Sequence, residues 1–163
     1  MDYMYAPWRD GYFSTKQEGC VFCHITQNPL LDETHHVLYR DALCFIVMNR
    51  FPYTPGHLMV IPHHHVDGIE YLDEQTWLHI SLIVQKCVAM LKTGFGAHGV
   101  NLGMNLGKSG GAGIAEHVHY HIIPRWLGDT NFITTIADTR VYGSDFENIY
   151  YKIKTLIPEY LPC

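Results

Sequence analysis

The chain has no apolar run approaching the length of a membrane span. It also lacks an excess of positive charge: 11 lysines and arginines stand against 16 aspartates and glutamates, for a net charge of −5. A nonspecific nucleic-acid binder works by neutralising phosphates, so that class is not expected. A small anionic ligand held in a locally positive site is compatible with the balance. The N-terminus, with Asp2, Arg9 and Asp10, shows no apolar core of an export signal, and a cytoplasmic protein is expected. Internal repeats and low-complexity tracts are absent. Charged residues are few, at 17%, while hydrophobic residues reach 47% of the 163 positions. Such a chain can bury a proper core and is expected to form one domain. The cysteine count of five is odd, which speaks against a complete disulfide framework. Without an export signal, the close pair Cys20 and Cys23 reads as metal or redox chemistry first.

Patterning gives a coarse architecture. Residues 1–19 are aromatic and irregular, an arm expected to lie on the domain. Leu43–Met48 and His57–Pro62 are strand candidates separated by turn residues Pro52–Gly56, which suggests an antiparallel hairpin. A long helix is predicted from Trp77, Ile80, Val84, Cys87, Val88 and Leu91, with Asp73 as N-cap and Gly94 and Gly96 at its end. Val100–Leu106 follows as an extended segment. Leu127–Tyr142 reads as loop with short strand character. A tail helix is predicted to start at a capping box, Ser144-x-x-Glu147, and to stop before Pro158. Strands mixed with two helices and no βαβ alternation indicate an α+β fold on an antiparallel sheet.

The chemistry concentrates at His117-Val118-His119-Tyr120-His121. On a strand the side-chain period is two, so the three imidazoles share one face. Burying three imidazoles is costly unless they have work to do. A metal site and a chance cluster are the plainer readings, since there are 12 histidines and a second run at His63-His64-His65. The preceding loop, Gly107-Lys108-Ser109-Gly110-Gly111-Ala112-Gly113, has backbone that can approach an anion closely. A phosphate cradle leading into a histidine strand suggests phosphoryl or nucleotidyl transfer.

The run His117 to Ile123 matches the pattern His, apolar, His, apolar, His, apolar, apolar. With it, the chain resembles the histidine triad (HIT) family of nucleotide hydrolases and transferases. Phe45–Arg50, Pro55–Pro62, Asn105 and Pro124–Asp129 are similar to family segments, especially those of the branch that cleaves diadenosine polyphosphates. The likeness covers about residues 20–135, leaving 136–163 as a C-terminal extension of one HIT-like domain. It implies a five-stranded antiparallel sheet with one main helix, a homodimer with the two sheets joined, and a nucleotide substrate. The resemblance also assigns roles. His119 would attack the α-phosphorus and carry the nucleotidyl group, His121 would hydrogen-bond phosphate, and His117 would orient His119. Asn49 would bind ribose. Asn105, Lys108, Ser109, Gly110 and Gly111 would line the phosphate site, and Trp126 would close it, from its own or the partner subunit. Phe45, Met48 and Phe51 are candidates for the base pocket. No metal is required for that chemistry. One departure stands out: many members carry Gln-Ser or Gln-Thr before the triad, and here Gly113-Ile114-Ala115-Glu116 occupies that place in a loop one residue longer. Lys108 or Ser109 would then be expected to take over the contact, and the acceptor of the nucleotidyl group, water or phosphate, stays open.

The resemblance extends to a structural zinc site of Cys20, Cys23, His65 and His117; His63 and His64 read as surface residues at the strand end that could replace His65. His57 is expected to be structural. His24, His35, His36, His79 and His98 are expected to face solvent. Three other functions remain in play: an adenosine phosphoramidate or AMP-ester hydrolase, a nucleotide-binding regulatory module, and a metallohydrolase using the three histidines.

Overall fold

The computed structural model describes residues 19–138 and 143–161; the arm, apart from Gly19, lies outside them. Five strands make one antiparallel sheet: β1 (Val37–Arg40), β2 (Cys44–Met48), β3 (Leu58–Pro62), β4 (Gly99–Gly103) and β5 (Tyr120–Arg125), in the order β1-β2-β3-β5-β4. The helices are α1 (Val21–Gln27), α2 (Glu74–Ala89, continued by a wider turn over Met90–Gly94), α3 (Phe132–Ala137) and α4 (Phe146–Tyr160).

The predicted hairpin is β2 against β3, in register from Cys44 opposite Pro62 to Met48 opposite Leu58. Every residue of both strands is buried, which is why they read as apolar runs rather than alternations. The sheet is covered on both sides. On one side Cys44, Ile46, Met48, Leu58, Val60 and Ile122 pack against Ile80, Ile83, Val84 and Cys87 of α2 and Ile149 and Ile153 of α4. On the other, Phe45, Val47, Met59 and Ile61 pack against Phe22 and Ile25 of α1. Met48 therefore faces the helices, away from the histidines, and is no part of a base pocket on their side.

Helix α2 begins as the sequence indicates: Asp73 accepts from the Thr76 N–H at 2.9 Å and from its hydroxyl at 2.7 Å. The start of α4 differs by one residue. Asp145, not Ser144, is the cap, accepting from the Asn148 N–H at 2.8 Å. The helix also runs through Pro158 to Tyr160. Proline's missing donor falls in the last turn, where buried Ile157 and Leu161 keep the chain on the core. Within 127–138, expected as loop, Asn131 caps the short helix α3 by accepting from the Ile133 N–H.

The two sheet edges are treated differently. Edge β1 is covered by α4: Lys154 Nζ donates to the carbonyls of Val37 and Leu38, both at 2.9 Å, and the Tyr150 hydroxyl donates to that of Val37 at 3.3 Å. Edge β4 pairs with β5 alone and exposes Asn101, Leu102 and Gly103. Among the described residues no helix is long and apolar enough to cross a membrane.

Candidate active site and metal cluster

The histidines do not all lie on the strand. The ladder between β3 and β5 runs from Leu58 opposite Ile122 to Val60 opposite Tyr120, so only His121 is within it. Two steps further β3 reaches Pro62, which has no N–H to continue the ladder. The chain at 117–119 is held otherwise: Val118 N–H donates to the Val66 carbonyl at 2.7 Å, and His117 Nε2 donates to that of Pro62 at 2.9 Å. His117 and His119 are buried, at 0% and 7% exposure, and His121 is half-buried.

A carbonyl oxygen only accepts, which settles where two of the ring protons sit. His117 carries its proton on Nε2 and leaves the Nδ1 lone pair free. His119 Nδ1 lies 2.9 Å from the His117 carbonyl, so it carries the proton and Nε2 is the lone-pair nitrogen. Among the described residues Nε2 of His119 has no hydrogen-bond partner. Phe22 of α1 packs against both rings, 5.4 Å from His117 and 5.1 Å from His119 between centroids. The His121 ring stands across the His119 ring at 4.8 Å, and its Nδ1 is 3.0 Å from Nε2 of His57.

The lone pair of His117 Nδ1 faces a cluster. Donor atoms of Cys20, Cys23, His65 and His117 all lie within 4.8 Å of one another. Cys20 Sγ to His117 Nδ1 is 3.3 Å, Cys23 Sγ to His65 Nδ1 3.1 Å, Cys23 Sγ to His117 Nδ1 3.7 Å, and the two Nδ1 atoms are 3.3 Å apart. With metal–sulfur bonds of about 2.3 Å and metal–nitrogen bonds of about 2.0–2.1 Å, tetrahedral edges come to about 3.3–3.8 Å. The four separations of 3.1–3.7 Å come close to those edges, and the Pro62 carbonyl fixes the tautomer that a ligand His117 needs. Of the two substitutes, His63 is engaged elsewhere: it accepts from the Thr26 hydroxyl at 3.2 Å, donates to the Asp41 carbonyl at 2.9 Å and stacks on Phe45. His64 is exposed.

Other expected site residues are placed less directly. Asn49 is committed within the chain, its oxygen accepting from Phe51 N–H at 2.9 Å and its amide nitrogen lying 3.2 Å from His57 Nδ1. The loop carrying Lys108, Ser109, Gly110 and Gly111 is exposed, and Gly107 and Gly111 take left-handed φ values of 69° and 87°. N–H groups of Gly110, Gly111 and Ala112 bond back to Gly107 or Lys108 carbonyls, so those three are not free for an anion. Asn105 reaches the Gly111 carbonyl at 3.5 Å. Trp126 donates to the Gly96 carbonyl at 2.9 Å and packs edge-on against Phe95, on the helix side of the sheet; within one chain it does not meet the histidines.

Several histidines expected in solvent have partners instead. His36 pairs with Glu147 at 2.7 Å between Phe146 and Tyr150, His79 pairs with Asp41 at 2.6 Å, and His98 Nδ1 accepts from Leu127 N–H at 3.1 Å. His35 is half-buried, while His24 and, despite that bond, His98 are exposed, as expected. Asp41, Cys44 and His79 form a second group with metal-ligand spacing. Asp41 is already occupied there, capping the Leu43 and Cys44 N–H groups and accepting from Tyr39.

Burial keeps the site neutral. It pushes His57 down to about 3, helped by the neighbouring His121 and His119, and pushes His121 to about 4. His117 falls to about 4, again from burial, against its hydrogen bond to Pro62. Burial also lowers His119, against its bond to the His117 carbonyl and the Glu116 carboxylate. An unfolded chain protonates His57 near pH 6.5, roughly its reference value, while the folded chain resists until about pH 3. The unfolded state therefore binds more protons in that window, so stability is complete above it and is lost as pH falls. At pH 5 His57 alone is expected to cost about 2 kcal/mol, or about 4–8 °C in melting temperature. Calorimetry at pH 7.5 and pH 5, both with chelator, checks this; equal melting temperatures would refute it.

Sheet order and histidine placement define an α+β protein with a histidine-based site. The family model of the HIT domain matches residues 31–126, more than half of the chain, and the chain belongs to that family. It is 43% identical over 136 residues to an AP-4-A phosphorylase of Mycobacterium tuberculosis, covering 83% of this chain and 69% of that protein. It is 30% identical over 97 residues to a bis(5'-adenosyl)-triphosphatase of Dictyostelium discoideum, covering 60% of this chain and 64% of that one. Among solved structures, a Zn-bound histidine triad family protein from Mycobacterium smegmatis superposes with a TM-score of 0.70 at 25% identity, covering 86% of this chain and 94% of that one.

The sequence missed two contacts at the site: His57 against His121, and Phe22 against His117 and His119. The Gly56-His57 turn was the available signal for the first. Nothing in the periodicity marked the second.

Proposed function

We propose that the protein is a nucleotidyl hydrolase/transferase acting on dinucleoside polyphosphates such as diadenosine tetraphosphate, through a nucleotidyl-histidine at His119. The observation that carries this is the bond from His119 Nδ1 to the His117 carbonyl, which leaves the Nε2 lone pair as nucleophile on a ring that burial keeps neutral. As Nε2 bonds to the α-phosphorus, the bond from phosphorus to the bridging oxygen breaks and ATP departs. An acceptor then attacks the same phosphorus and frees His119. The 43% identity to an AP-4-A phosphorylase favours inorganic phosphate as acceptor. Lys108 and Ser109, on the exposed loop leading into the histidines, and Asn105 beneath it supply polar groups for phosphate.

The donors of Cys20, Cys23, His65 and His117 fit structural zinc. Bound there, zinc would supply no chemistry to substrate and would fasten α1 to the segment bearing His119. A cytoplasmic setting agrees with this, because its reducing poise keeps the cysteines available as ligands. The open β4 edge, beside a β1 edge that α4 covers, supports a homodimer joined strand to strand through β4.

Diadenosine tetraphosphate incubated with and without inorganic phosphate tests the reading. ADP and ATP formed only with phosphate is the expected result. AMP and ATP regardless of phosphate would make water the acceptor. No product and no labelled His119 would overturn the proposal.

A further inference from the structure

We propose that Cys20 and Cys23 form a redox latch: oxidation by hydrogen peroxide joins them in a disulfide, dissolves the four-donor site they share with His65 and His117, and withdraws α1 from the His119 ring. This rests on the zinc reading for the resting state. It adds a control over the nucleophile that a purely structural metal does not have.

The two sulfurs are placed to meet each other. Cys20 immediately precedes α1 and Cys23 lies in its first turn, three residues on. Their Sγ atoms belong to the group of donors within 4.8 Å of one another. Cys20 makes no side-chain hydrogen bond to the helix, so its sulfur has no second duty there. Both cysteines are half-buried, and Cys23 lies 3.1 Å from Nδ1 of the exposed His65, so a small oxidant reaches the pair from solvent. Cys44 and Cys87 are free as well, but both are fully buried in the core beneath α2.

The chemistry balances with hydrogen peroxide as the oxidant. As metal ligands both sulfurs start as thiolates. Sγ of Cys23 attacks one peroxide oxygen, the O–O bond breaks, and a sulfenic acid and a hydroxide form. Sγ of Cys20 then attacks the sulfenic sulfur, the S–S bond forms, the S–O bond breaks, and a second hydroxide leaves. Protons from solvent convert both hydroxides to water. The cysteine pair has lost two electrons, and the peroxide has gained them. A thiolate is the ligand form of cysteine, so the disulfide leaves His65 and His117 as the remaining donors of a tetrahedral site.

Two routes carry the change to His119. Phe22 stands between the two cysteines in sequence, and its buried ring packs against His117 and His119. Drawing the sulfurs to about 2.05 Å shifts the turn that carries Phe22. His117 is the second route: it belongs to the donor group, and its carbonyl accepts the Nδ1 proton of His119 at 2.9 Å. Beyond the cluster, α1 is held by the Thr26 hydroxyl on His63 at 3.2 Å, by Arg40 on the Ile25 carbonyl at 3.0 Å, and by the packing of Phe22 and Ile25.

Zinc-loaded protein, freed of reductant, is titrated with hydrogen peroxide beside a colorimetric zinc indicator. One zinc should leave per chain, and mass mapping should find the segment holding Cys20 and Cys23 lighter by two hydrogens. Amide exchange over residues 21–27 should quicken. Turnover of diadenosine tetraphosphate should fall about tenfold to 10²-fold. Dithiothreitol with zinc should reverse every change. Zinc retained by a linked pair, a sulfinic acid in place of the linkage, or a linked pair with unchanged exchange and turnover would each overturn the proposal. If the reduced chain binds no zinc, the zinc reading fails, and the linkage and the exchange rates still decide whether the pair latches α1.

Discussion

His119→Ala is expected to reduce turnover of diadenosine tetraphosphate by about 10⁴-fold or more. On the proposed mechanism the substitution removes the atom that would bond to phosphorus, and no neighbouring imidazole is placed to replace it. His117 has its proton held by the Pro62 carbonyl and its lone pair aimed at the cysteine cluster. His121 has its Nδ1 against His57. Any residual rate would come from binding and phosphate stabilisation alone. Because the alanine is smaller and the ring makes a single hydrogen bond, the fold should persist and AMP should still bind. Steady-state rates, with trapping of a radiolabelled adenylyl adduct, check this. Full activity in the variant would remove His119 from the mechanism. His121→Ala should cost less, about 10²–10³-fold, since it deletes a stabilising donor and leaves the nucleophile.

Removing metal is expected to lower the melting temperature by about 8–16 °C. A ligand that binds only the native state and is present at a thousand times its dissociation constant contributes about 4 kcal/mol. For a chain of this size each kcal/mol moves the midpoint by about 2–4 °C. The loss should be local first. The cluster of apolar side chains between the sheet, α2 and α4 contains no residue of α1, whereas α1 is attached through Cys20, Cys23, Thr26 and the packing of Phe22 and Ile25. A chelated protein should therefore still unfold in one main transition, at the lower temperature, with α1 already loosened and His119 without its Phe22 wall. Elemental analysis should find one zinc per chain, and Cys23→Ser should melt at the same temperature with and without zinc. A chain that binds no zinc, or melts alike either way, would remove the metal from the account.

Much of this was legible in sequence where a local rule governs. The α2 periodicity and its Asp73 cap needed only neighbouring residues. So did β2 and β3, whose apolar runs are short and bounded by turns. The pattern His117, His119, His121 marked a stretch whose rings the fold gathers, and Cys20, Cys23 and His65 came together as the resemblance implied. What escaped was set by distant partners. Leu127–Tyr142 carries too few apolar repeats to announce α3. Ser144 and Asp145 are both good caps, and the choice between them depends on how α4 meets the core. His79 and Asp41 are 38 residues apart, and His57 and His121 are 64 apart, so no window of sequence contains either pair. The end of the β5 ladder at Tyr120 depends on the place of Pro62 in the neighbouring strand.

The double coverage of the sheet has an arithmetic consequence. In β2, β3 and β5 the even-numbered side chains, Cys44, Ile46, Met48, Leu58, Val60 and Ile122, meet α2 and α4, and the odd-numbered ones, Phe45, Val47, Met59 and Ile61, line up with His121 on the side of α1. Parity thus sorts substitutions into two kinds. An even-numbered change alters how firmly the molecule holds together. An odd-numbered change, one residue away along the same backbone, falls in the second buried layer, the one that packs on α1 and shares its side with His121.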